Sequence, residues 1–414
     1  MLGGPHLPNL EHIHLDPTLA TALLLLGAFL GGKLAQLFRL PSLTGQLIVG
    51  AILGPAAFGL VSHELADEKL RPVTDLALMI LAFTIGEKLE LSVLREGTKR
   101  IVAVLLGQAL GTMLLVFGGT VAAALLFGTF ASPGGAIAMA LILSAIAVAG
   151  SPGATLVVTK EVDDPGTLGR LVLAIVAAND ALAITVFGLC LAVGGAMVGG
   201  EVTALELAVY PFLRTLGAIV LGLLGGLAID LVGGRFGKRS DVLILGLAVI
   251  VGCGAAADAL GVSPLLAGMA AGFTVVNRER RDTRVFRSLG DFAAPIYVLF
   301  FALAGTHVEF GAIVSAGVVG IAYILGRFGG KILGAAAGAP IGGMKAKEGL
   351  RAGMCLLPQA GVAVGFLVEM ENNEALSDIN AVAHPIVLAG IVLAEVIGPA
   401  VARKVLVANG SDDE

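Results

Sequence analysis

The chain has 414 residues, 57% hydrophobic and only 14% charged, with a mean hydropathy of +0.95 and a formal net charge of -5. That composition excludes an ordinary soluble globular domain and predicts a polytopic membrane protein whose first partner is the lipid bilayer, with no nucleic acid and no enzyme chemistry in prospect. With 59 Gly, no Trp, 18 Phe and 3 Tyr, its helices are lined by small residues that let backbones approach closely, and an aromatic belt is nearly absent.

Residues 1–17, MLGGPHLPNLEHIHLDP, carry no Lys or Arg ahead of the first apolar run, so no cleavable signal peptide is expected and the segment reads as an external tail. His6, His12 and His14 have a spacing that suits no rigid metal site. Cys190, Cys253 and Cys355 lie in apolar runs without CxxC or His spacing and read as small core residues.

A bilayer core of about 30 Å needs roughly 20 apolar residues per helix. On that basis thirteen spans are predicted, at 18–37, 41–61, 73–92, 101–127, 134–158, 168–194, 210–232, 241–258, 262–276, 289–308, 312–336, 350–370 and 381–402. Basic residues collect in alternate loops: Arg39; Arg95, Lys99 and Arg100; Lys160 and Arg170; Arg235, Lys238 and Arg239; Arg278, Arg280, Arg281, Arg284 and Arg287; Lys345, Lys347 and Arg351; Arg403 and Lys404. The positive-inside rule then puts the N-terminus outside and the C-terminus in the cytosol, which requires an odd number of spans. The five arginines between spans 9 and 10 fit that rule and suit anionic lipid. The sequence ends about ten residues after the last span, so any cytosolic regulatory domain is expected either on a separate subunit or outside this sequence.

Span 5 contains Gly150, Ser151, Pro152 and Gly153 near its middle, and span 12 contains Pro358, Gln359, Gly361 and Gly365. Interruptions of this kind free backbone groups that are tolerated at membrane depth only beside packed protein or a cavity. Two interrupted spans in corresponding halves point to an inverted-repeat secondary transporter with its ion site near the midplane.

Ionisable groups inside spans are costly and usually functional. Asp180, in "AANDALAI", is the most central carboxylate, 12 residues from the start and 14 from the end of span 6. Arg327 and Lys331 share a face of span 11, and Glu395 lies in span 13 at a depth close to that of Arg327. A buried ion pair of Glu395 with Arg327 or Lys331 is the simplest account of those three. Asp180 then has no fixed partner and can hold either a proton or a monovalent metal cation, while Asn179 supplies a carbonyl oxygen and two donors but no charge. Glu87, Lys88 and Glu90 read equally as a solvated helix end or as a gate, and Gln46, Gln108 and His384 as packing or capping residues.

Together these stretches resemble the monovalent cation:proton antiporter superfamily, especially its NapA-like and Kef-like branch. "LPSLTGQLIVGAILGP" (40–55) and "LMILAFTIGEKLEL" (78–91) are similar to its early helices, "GSPGATLVVTKE" (150–161) and "LLPQAGVAVG" (356–365) to its two unwound crossing helices, "AND" (178–180) to its ion-binding motif and "GRFGGKILGAAAGA" (326–339) to its basic core helix. The match covers nearly the whole chain in order. It implies an all-α NhaA/NapA-like antiporter fold of about 13 transmembrane helices with inverted repeats and two crossing broken helices. It also implies a homodimer in a bacterial or archaeal plasma membrane. The division it implies is an external tail (1–17), dimer-domain helices (18–92 and 240–310), core-domain helices (93–195 and 311–403), a linker helix (196–239) and a cytosolic tail (404–414), with elevator-type transport. The same resemblance assigns Asp180 as the carboxylate that binds ion and proton, Asn179 as its neighbour, Ser151 as a ligand at the unwound helix, and Lys331 or Arg327 as the core basic residue.

Three departures bear on the site. Asn-Asp replaces the paired aspartates of electrogenic members, which in the family accompanies one-for-one electroneutral exchange. Ser151 stands where some sodium exchangers have Asp, and Ile175 stands where some relatives have an acidic residue. Kef-like members carry Gln-Asp and a cytosolic nucleotide-binding domain, neither of which is read here. The expected function is exchange of Na+, or Li+ or K+, for H+, with no cofactor. The alternatives are a K+/H+ efflux antiporter gated by a ligand or partner, a sodium-coupled organic-anion symporter on a related fold, and a membrane sensor that binds ions without moving them.

Overall fold

A computed structural model of the chain describes residues 16–410 except 39, 56, 63, 88, 90, 131, 163, 199–203, 234, 236–237, 279–283, 308–315, 360 and 372–375. His6, His12, His14, Arg39, Lys88, Glu90, Arg280 and Arg281 lie outside the described residues. The described residues are helical, with no strand. Eight helices among them are long and apolar enough to cross a membrane, nine if Arg284–Gly290 and Phe292–Thr306 count as one span. The chain is an integral membrane protein.

Residues 1–77 and 294–310 form one compact unit. It contains α1 (Pro17–Leu37), α2 (Ser42–Leu53), a π-helical turn at Leu65–Lys69, the start of α3 (Arg71–Glu87) and the second part of α11 (Arg284–Thr306). Asp16 caps α1 by accepting the Thr18 N–H at 3.0 Å, with Pro17 at the first helical position, where its missing N–H costs nothing. A Cβ on Gly31 would stand 2.9 Å from the Gly45 carbonyl oxygen, and one on Gly54 would stand 2.8 Å from Thr306 Cα, so α1, α2 and α11 approach where side chains are absent. Although a span is expected over 41–61, α2 has only 12 residues. It stops before Gly54 and Pro55, since a residue preceding proline is driven out of the helical region.

Residues 78–293 and 311–414 form the second unit. Its helices are α4 (Leu91–Leu126), α5 (Pro133–Val148), α6 (Pro152–Lys160), α7 (Gly166–Met197), α8 (Ala204–Gly233), α9 (Arg239–Ala259), α10 (Pro264–Asn277), α12 (Gly317–Gly338), α13 (Ala346–Cys355), α14 (Gly361–Glu371) and α15 (Ser377–Gly410), with the outer parts of α3 and α11. Several helices outrun their apolar stretches. Lys99 and Arg100 lie within α4, Arg284 and Arg287 begin α11, and α15 (Ser377–Gly410) runs past Arg403 into the stretch expected as a tail, beginning at Lys404.

α5 is apolar all round and accordingly buried, from Ala138 through Val148 with Leu141 alone partly exposed. Around it Phe187 of α7 stacks on Phe366 of α14 with ring centroids 4.0 Å apart. α4 and α12 pack backbone to backbone: a Cβ on Gly111 would lie 2.8 Å from the Gly330 carbonyl oxygen, and one on Gly107 would lie 2.5 Å from that of Gly334. This glycine seam brings Gln108, Arg327 and Lys331 into the middle of the unit, all buried.

Spans 5 and 12 are both interrupted as expected. Span 5 becomes α5 and α6, separated by residues 149–151, and span 12 becomes α13 and α14, separated by residues 356–360. Pro152 opens α6, and Pro358 lies in the second break, where a helix would have required its N–H. Ser151 caps α6 by accepting the Ala154 N–H at 3.3 Å.

Candidate cation and proton site

Separating α5 from α6 leaves the end of α5 short of helical donors inside a buried core: the Ile146 carbonyl keeps the Ala149 N–H at 3.1 Å, but the carbonyls around the break need further donors. Four side chains supply them. Asn179 Nδ2 and Lys331 Nζ both donate to the Val148 carbonyl at 2.9 Å, Gln359 Nε2 donates to that of Ile146 at 3.0 Å, and Arg327 donates to that of Ala149 at 3.2 Å. The same guanidinium donates to the Leu357 carbonyl at 2.8 Å and to that of Pro358 at 3.5 Å, so one side chain fastens both breaks. The two buried cations therefore sit at the carbonyl ends of α5 and α13, the negative ends of their helix dipoles.

Glu395 takes the complementary place. It interacts with the Ser151 hydroxyl, at the N-terminal end of α6, and with the backbone of Gln359, and it feels Arg327 only through space. The expected ion pair of Glu395 with Arg327 or Lys331 is not formed. Arg327 donates to backbone carbonyls and Lys331 to the Val148 carbonyl and the Gln108 side chain, and the carboxylate stands where a helix N-terminus leaves N–H groups unpaired. Charges in this core are matched to helix ends rather than to each other.

Asp180 is the exception. It is fully buried on α7, and neither carboxylate oxygen has a hydrogen-bond partner among the described residues. Lys331 acts on it electrostatically without ion-pair contact. A buried carboxylate left with no donor is costly as a bare anion. A bound proton removes the charge, and a bound cation compensates it. Thr155 Oγ1 on α6, Gln359 Oε1 at the second break and Glu395 Oε1 on α15 are among the other buried oxygens without a hydrogen-bond partner among the described residues. Such oxygens suit a monovalent cation as cargo. Among the described residues no group of three His, Cys, Asp or Glu side chains is placed to hold a resident metal.

Asn179 and Lys331 come together with the first break, and Arg327 joins both breaks. Ser151 meets Glu395, whereas it makes no hydrogen bond to Asp180. A Cβ on Gly150 would lie 3.5 Å from Asn179 Nδ2, which puts that glycine against the site, and Gly361 opens α14. Gln108, expected from the sequence to be a packing or capping residue, accepts from Lys331 Nζ at 3.0 Å and donates to Asn179 Oδ1 at 2.7 Å. Sequence reasoning passed over Thr155. An uncharged amide in an apolar span gives little signal, and the available one was its place beside the Gly107 and Gly111 seam.

A family model described as "Sodium/hydrogen exchanger, transmembrane" matches residues 22–403. The chain belongs to the sodium/hydrogen exchanger family, a family of transporters. Among curated proteins, a probable Na(+)/H(+) antiporter, GerT of Bacillus cereus, is 34% identical over 110 residues, covering 26% of this chain and 27% of GerT. MagA of Paramagnetospirillum magneticum, described as an iron transporter, is 26% identical over 306 residues, covering 73% of this chain and 66% of MagA. The matches thus span less than two thirds of these relatives' own lengths. The solved sodium proton antiporter MjNhaP1 from Methanocaldococcus jannaschii has the same fold: one structure, at pH 8, superposes with a TM-score of 0.66 at 19% identity over 95% of this chain and 96% of that one. A second, from an electron-microscopy map, gives a TM-score of 0.75 at 16% identity over 97% and 99%.

Proposed function

We propose that the chain is a secondary antiporter that exchanges Na+, with Li+ or K+ as further cargo, for H+ at Asp180. The observation that carries this reading is the carboxylate itself: fully buried, with both oxygens unpartnered, in a core where the other charged groups are matched to helix ends. One carboxylate that is neutral with a proton and compensated with a cation crosses the membrane loaded either way, which makes exchange one for one and electroneutral. Ser151 and Asn179 serve the site from the first break, Asn179 by holding the Val148 carbonyl. The core helices (93–195 and 311–403) move as an elevator against the dimer-forming helices (18–92 and 240–310), with the N-terminus outside. Family membership and the shared fold support the general antiport reading.

Purified protein in vesicles acidified inside tests it: adding external Na+ should dissipate the pH gradient, and Asp180→Asn should not. Dissipation by the variant at the wild-type rate would sink the assignment. The same assay with Li+, K+ and Rb+ separates a sodium exchanger from a K+ efflux antiporter, and the description of MagA makes Fe2+ a further cation to include.

A further inference from the structure

We propose that Gln108 is the positioning residue that keeps Lys331 out of the exchange at Asp180, an inference that rests on reading Asp180 as the exchanging carboxylate. Gln108 is fully buried on α4. It belongs to a closed ring of hydrogen bonds. Lys331 Nζ donates to Gln108 Oε1 at 3.0 Å, Gln108 Nε2 donates to Asn179 Oδ1 at 2.7 Å, Asn179 Nδ2 donates to the Val148 carbonyl at 2.9 Å, and Lys331 Nζ closes the circuit on the same carbonyl at 2.9 Å.

The ring runs in one sense only. A backbone carbonyl accepts and never donates, so Asn179 must turn its NH2 toward Val148, which leaves its oxygen for Gln108. Gln108 must then give its NH2 to Asn179, which leaves its own oxygen for Lys331. Turning either amide round would set donor against donor or acceptor against acceptor in a buried site. The two amides therefore hand the ammonium a fixed acceptor, and Val148 supplies the second. Lys331 stays within electrostatic reach of Asp180 without touching it.

Without Gln108 the ammonium loses one of its two acceptors while keeping a flexible four-carbon stem. Asp180, with two unpartnered oxygens, is then the acceptor it can take. An ammonium seated on Asp180 competes directly with the cargo cation, and its displacement or deprotonation adds a charge movement to the cycle.

The test uses the full chain in proteoliposomes, with Na+-dependent proton flux read at clamped and at collapsed membrane potential. Gln108→Met keeps length and removes both amide functions. Its KM for Na+ should rise roughly ten- to hundredfold, the scale of a close buried charge pair, and its flux should become dependent on voltage. Lys331→Met in the same chain removes the invading charge, so the double variant should bring KM back to within about threefold of wild type. An unchanged KM in Gln108→Met, or a double variant no better than the single one, would overturn the proposal in favour of simple packing. Should Gln108→Met fail to give folded protein, Gln108→Asn decides: its amide is one methylene shorter and cannot serve Asn179 and Lys331 together, so KM should rise and flux should become voltage-dependent, and an unchanged KM overturns the idea. Wild-type vesicles with no Na+-driven proton flux would instead sink the antiport reading itself.

Discussion

Arg327 and Glu395 attract each other through space in the middle of the core, yet they share no ion-pair contact. The guanidinium spends its donors on the carbonyls of Ala149, Leu357 and Pro358, and the carboxylate faces Ser151 and the backbone of Gln359. Each charge thus compensates the unwound end of a helix, and the attraction between them is a by-product of the two breaks lying side by side.

That division predicts unequal damage. Arg327→Met leaves three buried carbonyls on two elements without their donor and should destabilise the protein by about 3 kcal/mol or more. Arg327→Lys should recover only part of this, because a point charge cannot serve carbonyls on both breaks as a planar fork does. Glu395→Gln retains an acceptor and gains donors, so about 1 kcal/mol or less is expected. Thermal unfolding in detergent distinguishes the variants, and equal losses for Arg327→Met and Glu395→Gln would mean that the direct pair matters after all.

Asp180 predicts the opposite sign. Because its carboxylate has no donor among the described residues, Asp180→Asn removes a costly group and should unfold at a higher temperature than wild type when no cation is present, while being inactive. Wild type should gain about 2.7 kcal/mol at a Na+ concentration roughly 100 times its Kd, and the variant nothing. Proton and cation compete for the same oxygens, so KM for Na+ should rise as pH falls, by about tenfold per pH unit at most. A variant that Na+ still stabilises would place the cation elsewhere.

Much of this site is legible before any fold is known. A carboxylate amid more than twenty apolar residues stands out, and so do Pro152 and Pro358 in stretches that otherwise ask for continuous helix. Partners are harder to read. Glu395, Arg327 and Lys331 invite pairing by charge, but the acceptors that decide the matter are the backbone carbonyls of Ile146, Val148, Ala149, Leu357 and Pro358, which look like any others until the helix unwinds. Gln108 is silent for a related reason. Its role depends on amide orientation across two neighbouring helices, and spacing along one helix carries no trace of it.

Asn179→Asp tests whether that amide makes the site a single-carboxylate one. An ionised aspartate cannot donate to the Val148 carbonyl, so the ring opens, and a second carboxylate lies next to Asp180 within reach of Lys331. Flux should become voltage-dependent as a second titrating group enters the cycle. If the variant transports with the wild-type independence of voltage, the neighbour of Asp180 does not set the stoichiometry.

The glycine seam of α4 and α12 sets the last expectation, since the ring needs Gln108 and Lys331 within hydrogen-bond distance across it. A methyl group on Gly111 would lie 2.6 Å from Gly334 Cα and 2.8 Å from the Gly330 carbonyl oxygen, both backbone atoms that cannot rotate away. Gly111→Ala must therefore push the helices apart, at about 1–3 kcal/mol, and should weaken Na+ affinity in the same direction as Gln108→Met. Gly118, further along the same helix, is exposed and has nothing within 4 Å of its Cβ position. Gly118→Ala should instead raise the unfolding temperature, by up to about 1 kcal/mol in helix propensity, and leave KM unchanged. Similar effects from both alanines would mean that helix propensity, rather than the approach of Gln108 to Lys331, governs the response.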